Sequence, residues 1–291
     1  MKNQYLGDIG DYGKYGLLRF LAKQGIKIGV NWYLTEDDGS NDGKFIGYLK
    51  KEQDRIHDEE LFDFLASLVE HQNKSVQMVA DSKIIPNAIF YPDIVSIKNR
   101  AGWHEDAMRC LETAELIFCD PDNGPIGKKS ITSKDSDKYI APSEIVDYYN
   151  RGQNVVYYCQ KARRTEEAWL ATKAEMKEYL PDARIYVQTF HRGTQRSYIF
   201  VIHPEDEKRY ANLLRVFEQT SWGRKQLFSA ELFQLATVSQ ERIGNTMKIE
   251  LDSGEVVCIR MCDDGWVEVV SSKYPRKNSR RKAEDFVDCI R

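Results

Sequence analysis

The chain has 291 residues, 42% of them hydrophobic and 30% charged, with a formal net charge of −3. That length accommodates one large domain plus a small one, with the composition of an ordinary globular protein. The charge balance excludes a global attraction to nucleic acid, so such binding must come from a local patch.

No run approaches about 18 consecutive apolar residues, and the opening MKNQYLGDIGDYGKYG has no apolar leader, so no membrane partner and a cytoplasmic location are expected. The six cysteines, at 110, 119, 159, 258, 262 and 289, form no CxxC pair. With five scattered histidines there is no zinc signature, and the thiols read as reduced and structural.

In chain order, 14–24 (KYGLLRFLAKQ) has helical apolar spacing and ends at Gly25. IKIGVNWYLT (26–35) reads as a strand that stops at the acidic loop EDDGSNDGK (36–44). Residues 58–73 predict an amphipathic helix with an acidic first turn, and 103–114 another helix feeding a strand at 115–119. APSEIVDYYNRG (141–152) predicts a helix capped by Ser143 with Glu144 in its first turn, followed by a strand at 154–160 and a helix at 164–180. Strands at 183–190 and 196–204 joined by HRGTQ suit a hairpin, and 205–221 is the last long helix. Alternating strands and helices that end in a hairpin imply a mostly parallel α/β sheet. From about residue 240 the pattern changes to short alternating strands with turns at Asp252-Ser253-Gly254 and Asp264-Gly265, a small β-meander or SH3-like module. The expected domains are 1–235 and 236–291.

The apolar run ELIFC ends in Asp120-Pro121-Asp122-Asn123-Gly124. A buried strand stopping at Pro and Gly places its last polar side chains at one lip of a sheet, where open α/β sheets bind ligands. The same residue types also make an ordinary turn. Read as a lip residue, Asp120 carries chemistry and little packing. Asp11 and Lys14 either contact a ligand or form a helix-start cap and a surface charge. Arg163 and Arg164, after the strand ending at Gln160, suit phosphate contact or a solvated helix start. KYPRKNSRRK (273–282) carries Lys273, Arg276, Lys277, Arg280, Arg281 and Lys282, with Tyr274 among them, a composition that suits nucleic-acid contact or an exposed tail. Trp32 and Trp103 are expected to pack.

These motifs, in this order, resemble the 23S rRNA adenine-N6 methyltransferases called large-subunit methyltransferase J. That family opens with Gly-Asn-x-x-Asp-x-x-Lys-His, and here Gly7-Asp8-x-x-Asp11-x-x-Lys14-Tyr15 has the same spacing. Its Tyr-Leu-Asp-Thr-His strand end is echoed by Tyr33-Leu34-Thr35-Glu36-Asp37 before Gly39, and its Thr-Gly-Glu-Tyr by Asp42-Gly43-Lys44-Phe45. Its Ile-Asp-Pro-Pro-Tyr becomes Cys119-Asp120-Pro121-Asp122-Asn123, and its last hairpin matches Arg192-Gly193 through Ile202-His203-Pro204. The resemblance covers about residues 3–220. It implies a Rossmann-like class I methyltransferase fold that binds S-adenosylmethionine and methylates an adenine amino group. It implies Asp120, Pro121, Asp122 and Asn123 as catalytic positions, and Asp11, Lys14, Tyr15, Glu36, Asp37 and Gly39 as cofactor contacts. The chain departs from the family in three ways: Asp122 and Asn123 replace a proline and the stacking aromatic, the loop after the first strand is acidic, and for the ribose-binding acid only AIFYPDIV (88–95), with Asp93, comes near.

Three functions stay open on the sequence. The first is base N-methylation of RNA or DNA. The second is a Mg²⁺-dependent nuclease or phosphohydrolase using Asp8, Asp37, Asp38, Asp120 and Asp122. The third is a nucleic-acid-binding or complex-forming protein without catalysis. The oligomeric state is not encoded in any motif. Truncation after Ser272 is expected to weaken nucleic-acid binding and flatten its salt dependence, whose log–log slope is about −0.9 per neutralised phosphate on duplex DNA. Equal affinity and slope for full-length and truncated protein would reduce the basic run to a solvated segment.

Overall fold

The computed structural model describes the backbone of residues 1–39, 43, 45–72, 74–127, 129–233, 239–243, 246–250, 256–261, 266–271 and 279–282, and side chains up to residue 230. Its contacts divide the chain into Met1–Phe233 and Gln234–Arg291.

In the first unit, Ile9–Lys23 (α1) begins well before the KYGLL pattern, because the Asp8 side chain accepts from Gly10 N (2.8 Å) and caps the first turn. Ile28–Asn31 (β1) follows. The strand expected to reach residue 35 stops at Asn31, since Tyr33 adopts φ +46°, a left-handed conformation no strand continues through. Glu52–Arg55 (α2), Glu59–Glu70 (α3) and Val76–Ser82 (α4) lead to Ile89–Tyr91 (β2). Arg100–Cys110 (α5), Leu116–Cys119 (β3), Pro142–Asn150 (α6), Asn154–Gln160 (β4) and Glu166–Tyr179 (α7) then alternate. Arg184–Phe190 (β5) and Arg196–Ile202 (β6) form the expected hairpin, followed by Glu207–Glu218 (α8), Ser221–Arg224 (α9) and Phe228–Phe233 (β7).

The sheet order is β2-β1-β3-β4-β6-β5-β7. β1 pairs in parallel with β2 and β3, and β3 with β4, whereas β4–β6, β5–β6 and β5–β7 are antiparallel. The sheet is thus mixed rather than mostly parallel: β7 adds an antiparallel edge that the sequence reading did not contain. Helices cover both faces. Along β3, Leu116 and Phe118 join the core under α1, α3 and α8, while Ile117 and Cys119 join the core under α5, α6 and α7. This strict alternation in a fully buried strand is what a two-faced sheet requires. Trp32 stacks on Phe90 with ring centroids 5.8 Å apart, and Trp103 packs on Tyr33 and Tyr91, both as core residues. Among the described residues no helix is long and apolar enough to cross a membrane.

The second unit is an antiparallel meander of Ser239–Ile243 (β8), Thr246–Glu250 (β9), Val256–Met261 (β10), Trp266–Ser271 (β11) and Ser279–Lys282 (β12). Arg280, Arg281 and Lys282 lie on β12, opposite Glu268, Val267 and Trp266 of β11. Lys273, Arg276, Lys277 and both expected turns lie outside the described residues.

One buried network fixes the end of β1 against the second face. Ser143 does not cap α6 as expected: Ala141 is the cap residue, and the Glu144 carboxylate accepts from its backbone N (3.0 Å). Arg100 donates to both Glu144 oxygens (2.6 and 3.0 Å) and to Tyr139 O (2.8 Å). The Tyr33 hydroxyl donates to Glu144 Oε2 (3.0 Å), and the Arg100 guanidinium lies over the Tyr33 and Trp103 rings. Both members of the ion pair are buried. Arg100→Leu is expected to cost about 3–5 kcal/mol in chemical denaturation, because it leaves a buried carboxylate without its cation. A change under about 1 kcal/mol would show that Tyr33 and the Ala141 amide satisfy Glu144 alone.

Candidate functional site

The site is built where β1 and β3 end side by side, at the point where the order reverses between β2 on one flank and β3 on the other. Asp120 N donates to Asn31 O (3.0 Å), so the Asp120–Asn123 turn springs directly from the end of β3 beside β1. The acidic loop after β1 reaches the same lip: Asp38 lines a cavity of about 380 Å³ together with Asp120, Pro121, Asp122 and Asn123. The remaining walls come from Asp8, Gly10, Asp11 and Lys14 of the α1 start, from Tyr158 and Gln160 at the end of β4, and from Arg196 and Tyr198 of β6.

At the floor, Lys14 Nζ lies 2.7 Å from both Asp11 Oδ1 and Asp120 Oδ2. All three side chains are buried, so Asp11 and Lys14 are neither a cap nor a surface charge. Asp11 Oδ2 also accepts from Gly7 N (3.0 Å), which ties the turn before α1 into the cluster. Burial alone would lower the Lys14 pKa, but the two facing carboxylates hold it well above its ordinary value. Burial raises the Asp11 carboxyl, which the Lys14 charge only partly offsets. The Asp120 lip position therefore does carry structure, contrary to the sequence expectation, through a charge-assisted bond to a buried lysine.

Each other carboxylate has its own partner. Asp8 pairs with Arg196 (2.7 Å) and accepts from Phe45 N (3.0 Å). Gly10 has no Cβ to clash with this guanidinium; an added one would lie 2.3 Å from Arg196 Nε. Asp122 pairs with the Met1 ammonium (2.7 Å), which also donates to Tyr33 O and Asp120 O. Asp37 accepts from Gln4 N (3.0 Å), and Asp38 from Lys2 and from Gln4 Nε2. The alternative metal set of Asp8, Asp37, Asp120 and Asp122 is thus distributed over separate partners. Among the described residues no three His, Cys, Asp or Glu side chains converge to hold a metal ion.

Of the expected cofactor contacts, Asp11 and Lys14 line the cavity, whereas Tyr15 is fully buried with its ring edge-on to Trp32. Glu36, Asp37 and Gly39 are exposed and lie outside the lining. Asp93, just past the end of β2, is not among the lining residues. Arg164 folds back to donate to Gln160 O (2.6 Å), and Arg163 is exposed in the same turn; neither lines the cavity. Among the lining residues that sequence reasoning missed are Tyr5, Phe45, Lys138, Tyr158, Gln160, Arg196 and Tyr198. Tyr158 and Gln160 had a legible signal, since their period-2 spacing puts them on one face at the end of NVVYYCQ. Tyr198 is buried, and its hydroxyl has no hydrogen-bond partner among the described residues.

No family model and no curated protein matches the chain. Among solved structures it is similar to protein LPL1258 from Legionella pneumophila, of the family DUF519, at 12% identity and a TM-score of 0.43, over 79% of this chain and 97% of that one.

Lys14 contributes stability that is complete below its ordinary pKa and lost only as pH rises through its raised folded value. Lys14→Met leaves Asp11 and Asp120 buried together without a cation, at an expected cost of about 3–5 kcal/mol at neutral pH. That loss should shrink as pH falls. Burial already raises Asp11, and without Lys14 the folded state takes up a proton that the unfolded chain does not. Urea denaturation of both proteins at neutral and mildly acidic pH checks this; a deficit independent of pH would contradict it.

Proposed function

We propose that the chain is an S-adenosylmethionine-dependent N-methyltransferase acting on an amino group of a nucleic-acid base. The observation that carries this reading is the placement of Asp120-Pro121-Asp122-Asn123 at the carboxyl end of β3, on the wall of a cavity it shares with the start of α1. The strand order supports it: β1 sits between β2 and β3, and β6 runs antiparallel between β4 and β5, as in a class I methyltransferase sheet that lacks one outer strand and gains β7 at the opposite edge. The motif resemblance noted in the sequence supports it as well.

The cavity suits the cofactor in size and in donor set. About 380 Å³ falls in the small-molecule range, and the lining carries both carboxylates and cations, which suits a zwitterion with an added sulfonium charge. Asp38 and Asp122 would hold its cationic groups, and Lys138 its carboxylate. When bound, the cofactor supplies an electrophilic methyl group on sulfur. The rest is positioning by this chain. Lys14 fixes the Asp120 carboxyl, and Asp120 and the Asn123 side chain present acceptors to the hydrogens of an incoming amino group. Asn31 and Met1 hold the backbone N–H and C=O of Asp120 at the start of that turn. Holding two reactants in line supplies most of such a rate, since attack on an activated methyl needs little acid–base help. A base within a duplex has to leave its stack to reach this lip.

The hydrolytic reading with Mg²⁺ receives less support, because among the described residues no three His, Cys, Asp or Glu side chains converge to hold a metal ion. Calorimetric titration with S-adenosylmethionine and separately with Mg²⁺, followed by transfer of labelled methyl to RNA and DNA, tests the proposal. Binding of the first ligand and label in one polymer are expected, with Asp120→Asn lowering transfer about 100-fold while cofactor affinity stays within severalfold. Heat on addition of Mg²⁺ alone, with no transfer, would overturn it.

A further inference from the structure

Phe45 is the residue at the cavity that the ion-pair network leaves unexplained. Its ring is 60% exposed, while Ile56, Ile94, Leu170 and Tyr179, the other large exposed hydrophobics among the described residues, do not line the cavity. A lone exposed apolar side chain needs no explanation by itself. This one differs because its backbone is clamped on every side. Phe45 N donates to Asp8 Oδ2 (3.0 Å), and its carbonyl accepts from Ile9 N (3.1 Å). Gly43 holds φ +74° against Tyr5, where a Cβ would lie 2.6 Å from the Tyr5 Cα. On the far side Tyr48 is buried, stacked on Tyr12, with its hydroxyl donating to Gly7 O (3.2 Å). The chain thus holds an exposed aromatic ring, on a backbone fixed to the start of α1, in the lining of a polar cavity that Asp120 and Asn123 also line.

We infer that Phe45 is the stacking platform for the substrate base, supplying the aromatic face that the Asp120–Asn123 turn does not carry. The inference rests on the nucleic-acid reading above and names how that site takes its substrate. Aromatic–base stacking is tolerant of sequence because every base has a π-face, so Phe45 confers affinity for an unstacked base, and Asp120 and Asn123 select among bases by their amino groups. The ring's exposure places it where a base enters from a strand outside. That position argues for the substrate's base rather than an adenine of the cofactor held deeper in the cavity.

The test uses full-length protein and single-stranded RNA and DNA oligonucleotides carrying one 2-aminopurine, whose fluorescence is quenched by stacking. S-adenosylmethionine affinity is measured in parallel. Wild-type protein should quench the probe; Phe45→Ala should bind it about ten- to a hundredfold more weakly and lose the quench, and Phe45→Trp should retain both. Cofactor affinity should stay within about twofold in each variant, which also reports that the variants fold. Phe45→Ala matching wild type in quench and affinity would overturn the inference and leave the methyltransferase reading standing. Loss of cofactor binding instead of probe binding would overturn it by assigning the ring to the cofactor. Wild-type protein that quenches neither oligonucleotide would overturn it too, and labelled-methyl transfer by the same sample then decides the wider reading separately.

Discussion

A single buried ammonium, that of Lys14, joins the first helix to the end of the third strand, and the candidate site takes its shape from that junction. Its two carboxylate partners come from opposite sides: Asp11 from its own helix and Asp120 from the lip of the sheet. Because the three groups share two negative charges and one positive, the cluster retains a net negative charge that the surrounding protein must offset. The Met1 ammonium beside Asp122 and Arg196 beside Asp8 supply cations one step further out. The site is an alternating lattice of charges rather than a concentration of acid. Among the described residues no three of these carboxylates converge, although five aspartates in the sequence suggest a divalent-metal centre when seen only as letters.

The sheet explains why these groups meet. β1 lies between β2 and β3, so the connections leaving its two flanks run in opposite directions and open a crevice at the carboxyl ends. Tyr33 turns the chain sharply there through a left-handed conformation, and its hydroxyl is anchored by Glu144 across the second core. Strain at such a residue is sustained only when its surroundings over-determine it. The Arg100–Glu144 pair, Ala141 and the Trp103 ring do so here.

Much of the sheet was legible because its strands are short apolar runs bounded by Gly, Pro and acidic residues, and the DPDNG stop marked the lip correctly as a place in the fold. The start of α1 was not legible, since Ile9–Gly13 contains two glycines and the cap signal at Asp8 looked like one more acid in a polar stretch. For Asp11 and Lys14 the sequence leaves a ligand contact and a surface group equally open, because burial of charges is invisible until the partner is known, and Asp120 lies 106 residues beyond Lys14. The paired edge strand β7 escaped notice because FSAELF offers little contrast with the helix before it. Glu36, Asp37 and Gly39 were carried over by motif position, yet the loop bends so that Asp38 alone of that group faces the cavity. Phe45 was hidden for the same reason: its role depends on a backbone clamp to a helix cap that no local pattern announces.

The pairing of Asp8 with Arg196 has a consequence for how the chain acquires its site. These residues are 188 positions apart, and Arg196 belongs to a strand that inserts between β4 and β5 only after both exist. At a ribosomal rate of about 5–20 residues per second, the acidic start of α1 leaves the ribosome roughly 10–40 s before its guanidinium partner. Over that interval the first helix can dock on early strands through apolar contacts, and Lys14 already faces Asp11, but Asp8 lacks its guanidinium partner. Closure of the cavity wall is therefore among the last steps the nascent chain reaches, and an arrested product ending before β6 would present the same lip residues without a closed wall.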